Sequence, residues 1–145
     1  MQASGFEETV RPVVYDDARR VVEKHRSGGD HMVMLSASTI YACMPVSKHL
    51  GIEHYLGTRL VVENGILTGE IEAPLCYGAG KVARAEAFLA NQGDGTRLKD
   101  CVFYTDSITD LPMLEKVGDR RIVNPDRLLT REAKRRGWPV LNFTK

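Results

Sequence analysis

Residues 101–114 read CVFYTDSITDLPML: a short apolar run, two aspartates four positions apart, and a segment that contains a proline. The apolar run predicts a strand over residues 101–104 that is buried on both faces, as in a parallel sheet. The segment after it predicts a helix that Thr109 or Asp110 caps, with Pro112 in its first turn. A buried strand that leads directly into a helix is typical of an α/β fold.

The same alternation continues on both sides of this segment. Helices are predicted over Arg11 to Arg26, Thr39 to Leu50, Lys81 to Gln92 and Asp126 to Arg136, and strands over Met32 to Leu35, Arg121 to Val123 and Val140 to Phe143. Asn64-Gly65, between the apolar stretches Thr58 to Glu63 and Ile66 to Ile71, predicts a β-hairpin. Strands that alternate with helices predict a mostly parallel sheet with right-handed crossovers.

Length and composition narrow the class of protein. The 145 residues include 20 basic and 19 acidic side chains, so one domain is expected, with no broad basic surface for nucleic acid. No apolar run is long enough to span a bilayer, and the first residues lack the layout of a signal peptide. The odd number of cysteines, without C-x-x-C spacing, predicts reduced thiols and a cytoplasmic location.

Two loops lie where ligands collect in an α/β sheet, beyond the carboxyl ends of the strands. They are residues 36–38, Ser-Ala-Ser, and residues 105–110, Thr-Asp-Ser-Ile-Thr-Asp. Asp106 and Asp110 offer hard oxygen ligands of the kind that Mg²⁺ prefers. The spacing alone leaves open that Asp106 is a turn residue and Asp110 a helix cap.

Ser36 and Lys81 each stand where a helix is predicted to begin. The Ser36 hydroxyl could hold a phosphoryl oxygen, because helix N-termini bind anions, although a simple capping role explains it as well. Lys81 follows Gly78-Ala79-Gly80 at a helix start, where a cation is unfavourable unless an anion is bound nearby. A lone exposed lysine is the alternative at that position.

Together these motifs resemble the haloacid dehalogenase superfamily, most closely its phosphoserine-phosphatase-like branch. In order, they are a strand that ends in Ser36, a hairpin containing Leu67-Thr68-Gly69, Gly80-Lys81 at a helix start, Asp106-Ser-x-x-Asp110 after a strand, and Arg136-Gly-Trp-Pro139. The resemblance implies a three-layer, Rossmann-like α/β core with a mostly parallel sheet plus the β-hairpin. One domain would span residues 1–145, and residues 1–11 would be the tail of a helical cap.

The resemblance also implies a role for each residue of the two loops and the helix start. Ser36 would bind the phosphoryl group of a small phosphomonoester, and Lys81 would neutralise the phosphate and the nucleophile. Asp106 would be a Mg²⁺ ligand, and Asp110 would hold a metal-bound water or Lys81. Lys81 and Asp110 are therefore the candidate catalytic residues, Ser36 and Lys81 the substrate-binding residues, and Asp106 and Asp110 the metal ligands.

The first motif of the family, Asp-x-Asp-x-Thr, occurs nowhere in the sequence. In the family its first aspartate is the nucleophile, and its strand lies between the strands that here end at Ser36 and Asp106. Asp16-Asp17, the only adjacent acidic pair before Ser36, falls in a helical pattern. We therefore expect the central strand and most of the cap to be missing, and the chain to be inactive by itself.

Three interpretations remain. The favoured one is a Mg²⁺-dependent phosphomonoesterase represented without its first motif, through truncation or a misplaced start. The others are a non-catalytic module that keeps the phosphate and metal subsites for binding or assembly, and a degenerate fragment. Buried strands need neighbours on both sides. We therefore expect a homodimer or an N-terminal segment to complete the sheet, or the strands of Ser36 and Asp106 to close up.

Overall fold

A computed structural model describes residues 16–144 of the chain. The chain divides into two compact units, of which the first comprises residues up to Cys76 together with the last residues from Phe143, and the second Tyr77–Asn142. Both units combine helices with strands. The expected single domain over residues 1–145 stays a prediction, and the expected cap tail, residues 1–11, lies outside the described part.

The first unit contains a parallel strand pair extended by a hairpin. Its elements are helix α1 (Asp16–Ser27), strand β1 (Val33–Thr39), helix α2 (Ile40–Leu50), strand β2 (His54–Glu63) and strand β3 (Ile66–Glu72). β1 pairs with β2 in parallel, and β2 pairs with β3 antiparallel. The hairpin prediction is confirmed, since Asn64 has φ 52° and Gly65 φ 78°, the positive values that a type I′ turn requires.

Strand β1 is longer than predicted. The expected strand ends at Leu35, which would place Ser36 at its end, whereas the observed strand continues to Thr39 with an irregular register after Leu35. The reason is a neighbouring strand, because the Thr58 hydroxyl on β2 donates to the Ala37 carbonyl at 2.8 Å. A pattern of apolar residues contains no information about such a hydrogen bond, so it predicts the end of the strand too early.

Close packing of β2 against the end of β1 and the start of α2 depends on a glycine. A Cβ atom at Gly57 would lie 2.8 Å from the Ser38 carbonyl oxygen and 3.0 Å from the Cys43 sulfur. Cys43 is itself buried on α2. A larger residue at position 57 would therefore push β2 away from the segment that follows Ser36.

The second unit contains a parallel sheet. Helix α3 (Ala79–Gln92) precedes a 3₁₀ turn (Leu98–Asp100), strand β4 (Val102–Thr105), a second 3₁₀ turn (Ile108–Asp110), helix α4 (Leu111–Lys116), strand β5 (Asp119–Val123), helix α5 (Arg127–Arg136) and strand β6 (Val140–Leu141). The strand order is β4-β5-β6, with both pairs parallel. The last strand ends at Leu141, earlier than the predicted Phe143, and Asp126 caps α5 instead of opening it.

One apolar cluster holds the second unit together. Leu114, Ile122, Leu129 and Ala133 are fully buried, and Phe103, Ile108 and Trp138 pack against them. Burying a large apolar side chain contributes roughly 1.5–3 kcal/mol. Because Ile108 belongs to the loop after β4, its packing against this cluster holds the loop in place.

Ser36 lies on an outer strand of its sheet, and Asp106 and Asp110 follow an outer strand of theirs. In the described residues, β1 pairs only with β2, and β4 pairs only with β5. Completion of the sheet by an N-terminal segment or a second copy stays a prediction, because residues 1–15 lie outside the described part. No helix between residues 16 and 144 has both the length and the apolar character that crossing a bilayer requires.

Candidate phosphate and metal site

The two aspartates that follow the carboxyl end of β4 differ in burial. Thr105, the last residue of the strand, is buried, Asp106 after it is exposed, and Asp110 at the end of the 3₁₀ turn is buried. The Ser107 hydroxyl starts that turn by accepting from the Thr109 amide at 3.2 Å. The turn thus directs one carboxylate outward at the strand end and the other into the protein.

Lys81 and Asp110 form a buried ion pair. The ammonium of Lys81, a buried residue on α3, donates to Asp110 Oδ1 at 2.7 Å, and Asp110 Oδ2 accepts from the Thr105 hydroxyl at 2.6 Å. Both carboxylate oxygens are therefore bound, as a buried charge requires. Asp110 stands at the N-cap position of α4, but its side chain makes no capping bond there. The alternative of an exposed lysine is wrong, since Lys81 is buried.

The Lys81 ammonium can donate to more than one acceptor. An ammonium carries three N–H groups, and among the described residues of the second unit only Asp110 accepts from Lys81. The residue at the N-cap position of α3 is Gly78, at φ 55°, which has no side chain to cap the helix. Buried donors are normally satisfied by protein, water or ligand. A buried cation in the first turn of a helix is chemically suited to binding an anion.

Thr105 belongs to a loop that the sequence analysis selected, but it was given no role there. Its hydroxyl donates to Asp110 and accepts from the Ser107 amide at 3.1 Å, so it fixes both the carboxylate and the turn that carries it. A signal was present in the sequence: a polar residue continues an apolar strand directly before Asp106.

Thr105→Val is expected to lower the free energy of unfolding by about 1–3 kcal/mol, because the buried Asp110 carboxylate loses a hydrogen-bond donor. Thr105→Ser keeps the hydroxyl and removes one methyl group, so it should cost less than about 1 kcal/mol. Urea denaturation followed by circular dichroism measures both values. Equal losses in the two variants would show that packing, and not the hydroxyl, matters at this position.

Asp106 is the carboxylate that fits a metal ion. It is exposed, and no described residue of the second unit bonds to its side chain. One free carboxylate at an open strand end suits Mg²⁺, which is held by few carboxylates and keeps several waters. Residues 16–144 contain no cluster of three or more His, Cys, Asp or Glu side chains that could hold a metal.

Ser36 lies in the first unit, half-buried within β1. Its hydroxyl oxygen accepts from the Ser38 amide at 3.1 Å, which leaves the hydroxyl proton available for donation. No acceptor for that proton lies among the described residues of the first unit. The predicted role of Ser36 needs such a donor, and its membership of one site with Lys81 and Asp106 stays a prediction.

The cysteine beside β4 is poorly suited to nucleophilic attack. Burial raises the pKa of the Cys101 thiol, and the neighbouring charges of Asp100 and Asp94 raise it further. The thiolate, which is the reactive form, is therefore scarce at neutral pH. Burial likewise raises the pKa of Tyr104 on the same strand. Neither side chain competes with the ion pair and Asp106 as the centre of chemistry in this unit.

Residues 2–115 match the family of haloacid dehalogenase-like hydrolases, and the chain belongs to that family. A probable phosphatase of Mycobacterium tuberculosis is 44% identical over 136 residues, which cover 94% of this chain and 46% of the relative. A histidinol-phosphatase of Neisseria meningitidis is 35% identical over 138 residues, covering 94% and 62%. The chain thus spans about half the length of the first of these relatives, at 46%.

The solved structures agree with the α/β fold. A Bordetella pertussis protein of unknown function has a TM-score of 0.86 and 32% identity, over 96% of this chain and 63% of that one. Phosphoserine phosphatases also share the fold, and at 20–22% identity they show the fold alone. The predicted haloacid dehalogenase family is confirmed, with relatives named histidinol-phosphatase and phosphoserine phosphatase, and so is the α/β fold with Rossmann-like neighbours.

Proposed function

We propose that the protein is a Mg²⁺-dependent phosphomonoesterase and that these residues supply the part of its active site that holds phosphate and metal. The observation that carries the proposal is the buried Lys81 ammonium, oriented by Asp110, which is its one hydrogen-bond acceptor among the described residues of the second unit. Relatives named phosphoserine phosphatase and histidinol-phosphatase support a small phosphomonoester as the substrate.

Each residue has a defined task in this proposal. Lys81 binds a phosphoryl oxygen and neutralises its charge, while Asp110 keeps the ammonium oriented through its 2.7 Å contact. Ser36 donates its hydroxyl proton to a second oxygen. Asp106 would hold Mg²⁺ directly and Asp110 through a water, and the ion would neutralise charge on the transferring group. Positioning and charge stabilisation of this kind carry most of phosphoryl transfer.

The 145-residue chain alone is expected to show no more than trace turnover of p-nitrophenyl phosphate or phosphoserine with Mg²⁺. The sequence contains no Asp-x-Asp, so the route through an aspartyl-phosphate lacks its nucleophile. Phosphate release by the purified chain measures this, and Asp106→Asn serves as the control for contaminating phosphatase. Turnover that disappears in Asp106→Asn would show that the chain carries its own nucleophile.

A chimera tests the function itself. In the chimera, this chain replaces the segment of 138 aligned residues in the histidinol-phosphatase of Neisseria meningitidis. The rest of the histidinol-phosphatase sequence is kept. We expect Mg²⁺-dependent release of phosphate well above that of the chain alone. A folded chimera without activity would contradict the proposal. It would favour the alternative, a non-catalytic phosphate-binding or metal-binding module, if the chain still bound orthophosphate in a calorimetric titration.

A further inference from the structure

We propose that Asp126 is a positioning residue for Asp106, an inference that rests on the proposed function. Asp126 lies in the loop between β5 and α5, beside the strand end that carries Asp106. Its backbone amide donates to the Asp106 carbonyl at 2.8 Å, and its Oδ2 accepts from the Ile108 amide at 2.9 Å. Two bonds from one residue thus hold the backbone on both sides of Ser107.

The third bond of Asp126 anchors this contact to a rigid element. Asp126 Oδ1 accepts from the Leu129 amide at 2.8 Å, which caps α5. Leu129 is fully buried in the apolar cluster of the second unit, and Ile108 packs against the same cluster. The apolar cluster therefore fixes both residues that donate to the Asp126 carboxylate. Asp126 thus links α5 to the loop that carries Asp106.

A capping role alone does not account for this arrangement. A helix cap needs one side-chain oxygen, and serine or asparagine provides it as well as aspartate does. Only a carboxylate has a second acceptor oxygen for the Ile108 amide. The backbone before Asp126 is also constrained, since Asn124 has φ 43°, in the left-handed region, while its amide donates to the Leu141 carbonyl at 3.0 Å.

Asp126→Ser separates the two roles, because serine keeps the cap on the Leu129 amide and cannot reach the Ile108 amide. In the ¹⁵N-labelled chain of 145 residues, hydrogen exchange of the Ile108 amide should accelerate about tenfold, with the Leu129 amide nearly unchanged. Mn²⁺, a paramagnetic substitute for Mg²⁺, should broaden the Asp106 and Ser107 signals of the wild type. About tenfold more Mn²⁺ should be needed in the variant.

Asp100→Ser is the matched control, because it removes the same charge at the amino end of β4, where Asp100 accepts from the Arg97 amide. It should change neither the Ile108 exchange rate nor the Mn²⁺ requirement. An unchanged exchange rate of the Ile108 amide in Asp126→Ser would overturn the inference. An equal rise, in Asp100→Ser, in the Mn²⁺ concentration needed for broadening would overturn it as well. If Mn²⁺ leaves the wild-type loop unbroadened, the proposed metal site fails, while the Ile108 amide still decides the role of Asp126.

Discussion

Lys81→Met should lower the free energy of unfolding by about 3–5 kcal/mol, because it leaves the buried Asp110 carboxylate without its cation. The two side chains are only 9% and 7% exposed, so water cannot replace the lost ammonium without reorganisation of the protein. Against a net stability of about 5–15 kcal/mol, this loss is large. Urea denaturation of the purified chain measures it.

A double-mutant cycle shows whether the loss comes from the ion pair. Asp110→Asn combined with Lys81→Met should be more stable than the sum of the single losses implies, by about 0.5–3 kcal/mol, since no uncompensated charge remains. Lys134→Met, at an exposed lysine on α5, is the control and should change stability by less than about 0.5 kcal/mol. A Lys81→Met variant as stable as this control would contradict the buried pair.

The second large effect concerns catalysis in the chimera. Lys81→Met and Asp106→Asn should each lower kcat/KM by about 10²–10³, the usual result of removing one group that stabilises charge in the transition state. Asp100→Asn removes a carboxylate at the other end of β4 and should change kcat/KM by less than about threefold. Initial rates with p-nitrophenyl phosphate and Mg²⁺ measure these ratios. Full activity in Asp106→Asn would exclude that residue from the site.

Local sequence signals predicted most of the fold. Asn64-Gly65 identified the hairpin, because a two-residue turn with positive φ values selects those residue types. The apolar run before Thr105 identified β4, and the spacing of apolar residues identified α3 and α5 to within about two residues. These features are local, so the sequence carries them directly.

Features that depend on distant partners were less accessible. The extension of β1 beyond Leu35 depends on Thr58, which is 21 positions away from Ala37, the residue it contacts. The pairing of Lys81 with Asp110 spans 29 positions, and motif resemblance predicted their shared site without showing that the contact is buried. Thr105 and Asp126 were missed as site residues because their roles follow from hydrogen bonds across a turn and between two loops.

A crystal structure of the chimera with Mg²⁺ and tungstate, a phosphate analogue, tests the assignment of the four predicted residues most directly. The account predicts one tungstate that accepts from the Ser36 hydroxyl and the Lys81 ammonium, with Mg²⁺ bound to Asp106 and Asp110 still paired with Lys81. A structure in which Ser36 and Lys81 lie on opposite faces of the sheet, or in which the tungstate binds away from Lys81, would contradict it.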